Sequence, residues 1–180
     1  MISLSYVSAY DPYHAIFRYF CLSTQSSMAT ITVGAYRILD YYFCFPHLLK
    51  SFSAARNIQG LIRAHNQVKR DYSAPPYQAL PDERLLYSRM RLPQLTCLST
   101  MARNQYISEE ELGKEMVVRT EREMPAETAQ AVLLYVKESA SLLEVLGLMA
   151  KIPLLGRDGL KHRSGLEEYR YDYVHAQSQG

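Results

Sequence analysis

The residue types that most often carry out chemistry are scattered through this chain rather than clustered. The five histidines stand at positions 14, 47, 65, 162 and 175, and the three cysteines at 21, 44 and 97 lack a CxxC spacing. No HExxH motif, GxxxxGK[ST] loop or GxSxG elbow occurs, so the common signatures of zinc, nucleotide-phosphate and serine-hydrolase sites are missing. The acidic run at 109–111 is typical of a solvated first helical turn. The sequence therefore predicts a protein that is not an enzyme and has no cofactor and no metal site.

The cysteines and histidines fit structural roles instead. Each cysteine has apolar neighbours, which predicts buried free thiols in a reducing compartment. His14 and His47 lie in apolar segments that are predicted to be helical, so we expect both to be histidines of the core. The first residues lack the pattern of a signal peptide, and no apolar run approaches the ~18–20 residues that span a bilayer. These features predict a soluble, cytoplasmic protein with no membrane partner.

The charge is divided between the two parts of the chain. The 180 residues carry a net charge of +2, but residues 1–107 hold 11 basic and 5 acidic side chains, whereas residues 108–180 hold 9 and 13. Such asymmetry favours partners of opposite sign for the two parts. Fifteen tyrosines and no tryptophan also suit partly exposed contact surfaces.

Basic residues are concentrated between positions 56 and 70. Because helical spacing places several of them along one rim, they form a candidate surface for nucleic-acid phosphates: Arg56, Arg63, Lys69 and Arg70. A solvated helix face is the other interpretation.

The glycine-punctuated segment at 156–174 combines basic, acidic and tyrosine side chains. Its tyrosines at 169, 171 and 173 alternate with charged residues at the period of a strand. An extended segment with one tyrosine face can dock along the edge of another protein, although an internal strand has the same pattern. The predicted partner-binding anchors are Leu160, Arg163, Leu166, Tyr169 and Tyr171.

The elements that must position these residues are mainly helical. Asp11 with Pro12, Asp82, and Ser108 with Glu111 are typical of helix starts. The stretch EMVVRTERE predicts a short strand and its return, and helices followed by such a β-ribbon resemble a winged helix. The apolar run 142–149 predicts burial in the core or against another chain.

We therefore predict a mainly α fold with five segments. These are a helical N-terminal region (1–72), a Pro-rich linker (73–80), a winged-helix-like region with a short β-ribbon (81–124), one long C-terminal helix (125–152), and an extended interaction tail (153–180).

Four stretches carry a resemblance to a known family: YDPYHAIFRYF, RILDYYFCFPHLL, PYQALPDERLLYSRMRLPQ and GLKHRSGLEEYRYD. They are similar to the middle components of bacterial three-component ABC systems, a group that includes the small third subunit of the Lamassu anti-phage and anti-plasmid systems. The resemblance implies a non-enzymatic subunit that bridges the heads of an SMC/Rad50-like ATPase and helps to restrain an effector, often a nuclease. DNA contact would then occur through the complex.

The alternative function is a winged-helix DNA-binding regulator that acts alone. The helical core with a ribbon and the basic first 107 residues support it. Its recognition helix would read EEELGK, however, and those acids would repel phosphates.

Overall fold

A computed structural model describes residues 8–74 and 82–166. These residues form nine α-helices and one two-stranded antiparallel sheet, as the mainly α prediction expects. The helices are α1 (Pro12–Ser23), α2 (Val33–Cys44), α3 (Leu61–Asp71), α4 (Glu83–Arg89), α5 (Arg91–Arg103), α6 (Glu109–Leu112), α7 (Ala126–Glu138), α8 (Ala140–Met149) and α9 (Leu160–Ser164). The strands are β1 (Thr30–Thr32) and β2 (Met116–Val118), and two 3-10 helices span Ser26–Met28 and Pro46–Ser51.

Side-chain caps set the starts of several helices. The Asp11 carboxylate accepts a hydrogen bond from the Tyr13 backbone N–H at 2.8 Å, and Pro12 opens α1. Asp82 caps α4 and Ser108 caps α6 in the same way. Each cap satisfies a backbone donor that has no partner within the helix. These three predicted starts are confirmed.

The β-ribbon prediction was wrong about the partner of the strand. β2 pairs with β1, with Ile31 opposite Val117, and residues 121–125 form no strand. Both Ile31 and Val117 are buried, so this pairing shields apolar side chains that the charged stretch TERE could not cover. The winged-helix ribbon that we expected within 81–124 is therefore replaced by a pairing between distant parts of the chain.

The single long helix expected at 125–152 is two helices that meet at Ser139. The Ser139 backbone leaves the helical region at φ −109° and ψ 30°, and serine favours such breaks because its hydroxyl competes for backbone hydrogen bonds. After the break, α8 turns its apolar face into the core. Its buried residues are Leu142, Leu143, Val145, Leu146, Gly147 and Met149, so the core interpretation of 142–149 is confirmed.

One hydrophobic cluster joins elements from both sides of the Pro-rich segment. Tyr36 and Leu39 of α2 are fully buried with Leu86 of α4 and Leu146 of α8. α1 packs against α5, and α3 packs against α8. This shared core fixes α2 and holds α9 beside it, which positions the surfaces described next.

Candidate partner-binding surfaces

Helix α9 is a short platform at the start of the predicted interaction tail. Gly165 has a left-handed backbone (φ 72°), and its N–H donates to the His162 carbonyl while the Leu166 N–H donates to the Lys161 carbonyl. This is the Schellman arrangement, which ends a helix and directs the following chain. Leu160 and Leu166 are buried, so both predicted anchors face the protein's own core.

Arg163 ties this platform to the rest of the fold. Its guanidinium donates to the Ser53 carbonyl at 3.0 Å and to the Asp158 carbonyl at 2.7 Å, and it also pairs with the Asp158 carboxylate at 2.9 Å. The Ser53 N–H donates in return to the Arg163 carbonyl at 3.1 Å. The side chain is 13% exposed. Arg163 therefore holds α9 in place, a role that its position in the sequence does not indicate.

The structure brings three of the five predicted anchors together in α9 and its cap: Leu160, Arg163 and Leu166. Tyr169 and Tyr171 lie outside the described residues. Their contact with a partner stays a prediction.

The basic candidates lie on or beside α3, and all four are exposed. Arg63 pairs with Glu144 of α8 at 3.1 Å, with side chains that are 81% and 48% exposed. Arg70 donates to the Gln67 side chain at 2.6 Å. At 3.6 residues per turn Arg63 and Arg70 share one stripe, whereas Lys69 is rotated by about 100° from Arg70. The exposed surface thus contains a basic stripe with two acidic neighbours, Glu144 and, through Gln67, Asp71.

A groove of about 690 Å³ lies between helices α2, α5 and α9 and strand β2. Its apolar lining includes Leu95, Leu98, Leu112, Met116 and Leu154. Gly34 forms part of the floor, and a Cβ there would lie 2.7 Å from a methyl group of Leu154. The absence of a side chain at this glycine lets Leu154 lie close to α2.

Four basic side chains and one acidic side chain also line this groove: Arg37, Arg91, Lys114, Lys161 and Glu115. Arg37 donates to the Gln94 side chain at 3.0 Å and stacks over the Tyr87 ring at 4.6 Å. Lys114 contacts Glu110 and Glu111, each at 2.8 Å. The groove therefore combines an apolar floor with a predominantly basic rim.

A buried polar cluster, which the spacing of residues in the sequence does not reveal, lies behind the groove. Arg18 of α1 donates twice to Asp40 of α2, at 2.6 and 3.1 Å. The Gln94 amide of α5 donates to the same carboxylate at 3.0 Å and to the Arg37 carbonyl at 3.1 Å. Asp40 and Gln94 are fully buried. The only signal in the sequence was the presence of Arg18, Arg37 and Asp40 within two otherwise apolar helices.

Burial controls the chemistry of the thiols. Desolvation raises the pKa of both Cys21 and Cys97 to about 12, so both stay protonated at neutral pH and are weak nucleophiles. Both are fully buried, as predicted, whereas Cys44 is partly exposed. All three are free.

The histidine prediction was wrong for His14, whose side chain is 59% exposed beside Asp11. It lies on the solvent side of α1, because Ala15 and Tyr19 occupy the buried side. His47 is half-buried, and burial together with Lys50 lowers its pKa. Among the histidines that the structure describes, the buried one is His65, whose Nε2 donates to the Leu49 carbonyl at 2.6 Å.

Within residues 8–74 and 82–166, no group of three or more His, Cys, Asp and Glu side chains could hold a metal ion. No helix in the described parts of the chain is long and apolar enough to cross a membrane.

The described residues thus form a helical core that carries a tail platform, a groove with a basic rim and a basic stripe. Comparison with known families identifies the class of protein. The chain belongs to the family described as ABC-three component (ABC-3C) system Middle Component 5, whose model matches residues 4–172. Membership implies partners within the same system, such as the ATPase and effector components, and middle components generally act as regulatory or adaptor subunits. No curated protein and no solved structure matches the chain.

Proposed function

We propose that this middle component is the non-catalytic bridging and regulatory subunit of a Lamassu-type defence complex in the cytoplasm. It joins the heads of an SMC/Rad50-like ATPase and restrains a nuclease effector that acts on phage or plasmid DNA. The family match over residues 4–172 is the observation that carries this proposal.

The tail is the proposed contact with the ATPase. Leu160 and Leu166 anchor its base in the core, and Arg163 locks that base to the Ser53 carbonyl. A rigid base lowers the entropy lost when the segment beyond it binds a partner. Tyr169 and Tyr171 are the proposed contacting residues, because tyrosines buried in an interface contribute much of its free energy.

Contact with DNA is proposed only within the assembled complex. The exposed residues Arg56, Arg63, Lys69 and Arg70 would add phosphate contacts to those of the ATPase. The stand-alone winged-helix regulator has less support. Its ribbon strand pairs with β1 instead, and the surface of α6 carries Glu109 and Glu110.

The test is co-purification of the complete chain with the ATPase component encoded beside it. We expect the wild-type chain to capture the ATPase and the variant Tyr169→Ala/Tyr171→Ala to lose at least tenfold in affinity, since two interface anchors are worth roughly 2 kcal/mol or more. Its far-UV circular dichroism spectrum should match that of the wild type, which would show that the helical core still folds.

The matched control is Tyr13→Ala, which removes a tyrosine that is 83% exposed on α1. This variant should capture the ATPase normally. A wild-type chain that stays monomeric beside both neighbouring components would refute the adaptor function. Capture that is normal in the double variant would refute only the assignment to the tail.

A further inference from the structure

The groove beside α9 has the shape and chemistry of a docking site for an extended segment. Its floor is formed by leucines and Met116, and its rim carries positive charge from Arg37, Arg91 and Lys161. Its volume of about 690 Å³ lies within the usual range of binding sites, about 300–1,000 Å³. An occupant of this groove should therefore carry apolar or aromatic side chains together with acidic ones.

The described part of the chain ends beside this groove. The Leu166 N–H is hydrogen-bonded to the carbonyl of Lys161, which lines the groove. Leu166 is itself buried, so the described chain ends at a fixed position one hydrogen bond away from a groove-lining residue. The eight residues 167–174 could reach up to roughly 26 Å from there if they are extended.

The sequence of that segment, EEYRYDYV, complements the groove. Its acids Glu167, Glu168 and Asp172 outnumber Arg170. The groove lining carries Arg37, Arg91 and Lys161 against the single acid Glu115, besides Lys114, which pairs with Glu110 and Glu111. Three tyrosines at alternate positions would place their rings on the same side of an extended chain. We propose that residues 167–174 of the same chain occupy this groove in the free subunit.

With this occupancy the tail has two states, one bound in the groove and one bound to the ATPase. In the free subunit Tyr169 and Tyr171 are held against the Leu95 and Leu112 side of the groove, and the ATPase must displace them. The groove then acts as an autoinhibitory site that competes with the partner. The occupancy does not depend on the proposed function, whereas its effect on capture of the ATPase does.

The test uses the complete chain with Tyr171 replaced by the photoreactive residue p-benzoylphenylalanine. After irradiation, peptide mapping by mass spectrometry should find crosslinks within one chain to Leu95, Leu112 or Met116. The same replacement at Tyr13 is the control and should give no crosslink to the groove. Crosslinks to another face, between two chains, or to nothing would overturn the proposal.

A charge-reversed rim separates specific docking from chance contact. In the photoreactive chain, Arg91→Glu with Lys161→Glu should lower the yield of groove crosslinks at least about fivefold. Adding Glu168→Lys with Asp172→Lys should restore it. An unchanged yield in the reversed rim would also overturn the proposal.

The rim variant also distinguishes this inference from the proposed function. If the groove occupancy and the adaptor function are both correct, the variant Arg91→Glu/Lys161→Glu should capture more ATPase than the wild type, because its tail is released from the groove. Groove crosslinks without any ATPase capture would leave the autoinhibitory site standing and refute the adaptor role.

Discussion

Charged side chains occupy two contrasting environments in this chain, the buried core and the rim of the groove, and Gln94 contacts a charged residue in each. Arg18 and Asp40 are buried together and satisfied by three hydrogen bonds among themselves and Gln94. The rim of the groove keeps its charges at or near the surface, with Arg37 held by the oxygen of the same Gln94 side chain. The Gln94 amide therefore connects a structural ion pair to a surface cation.

The difference lies in what each charge costs when it loses its partner. A buried ion that loses its counter-ion has no water to replace it, so the folded state becomes much less stable. A rim charge is hydrated in either case, so its removal changes association more than folding. The buried cluster should thus control stability, and the groove should control binding.

The largest effect is expected at the buried pair. Asp40→Ala leaves the Arg18 guanidinium buried without its carboxylate, and it should lower the free energy of unfolding by about 3–5 kcal/mol. Urea or thermal unfolding of the purified chain measures this change.

The double variant Arg18→Met/Asp40→Leu is the control, because it removes both charges and fills similar volume. It should be more stable than Asp40→Ala alone, since apolar replacements of buried ion pairs are often tolerated. A loss below about 1 kcal/mol in the single variant, the range of surface pairs, would remove the contrast between the two regions.

The sequence predicted local structure better than tertiary pairing. The caps at Asp11, Asp82 and Ser108 were readable because a cap depends on neighbouring residues. The partner of β2 was not, because Val117 meets Ile31 across a long stretch of chain and a pattern of period two does not name its partner. Ser139 was readable in principle as a weak helix former, but the strong apolar pattern around it favoured a continuous helix.

The candidate sites were predicted unevenly for the same reason. The segment around Leu160 was singled out by its composition, but its role as a platform depends on Ser53, which is far away in the chain. The Arg18–Asp40–Gln94 cluster joins three helices, and a charged residue within an apolar helix does not identify its partner in another helix. Sequence spacing identifies residues on one helix face, whereas the partners across the core come from the fold.

An intermediate effect is expected for Arg163, which lies between the two extremes. Arg163→Ala removes hydrogen bonds to the Ser53 and Asp158 carbonyls, and bonds from charged donors are worth about 1.5–3 kcal/mol each in buried settings. Because Asp158 is exposed, we expect a loss of about 2 kcal/mol in thermal or urea unfolding.

Arg157→Ala is the matched control for Arg163, since Arg157 is an exposed arginine near the same helix. Its effect should stay within about 0.5 kcal/mol. If both variants unfold alike, Arg163 does not fix the platform, and its predicted role in partner binding becomes the better explanation of its position.

The smallest effect is expected for the ion pair between Arg63 and Glu144. Both side chains are exposed, so this pair is the surface counterpart of the buried Arg18–Asp40 pair. Its two side chains meet at 3.1 Å while remaining largely hydrated, so the Coulomb gain is offset by screening and by the ordering of two long side chains. A double-mutant cycle with Arg63→Ala and Glu144→Ala should give a coupling of roughly 0.2–1 kcal/mol that decreases as salt is added. The neutralising neighbour also predicts that Glu144→Gln will strengthen any DNA binding of the assembled complex, because the charge of Arg63 is then offset less. A coupling as large as that of the buried pair would show that exposure does not separate the two kinds of charge in this chain.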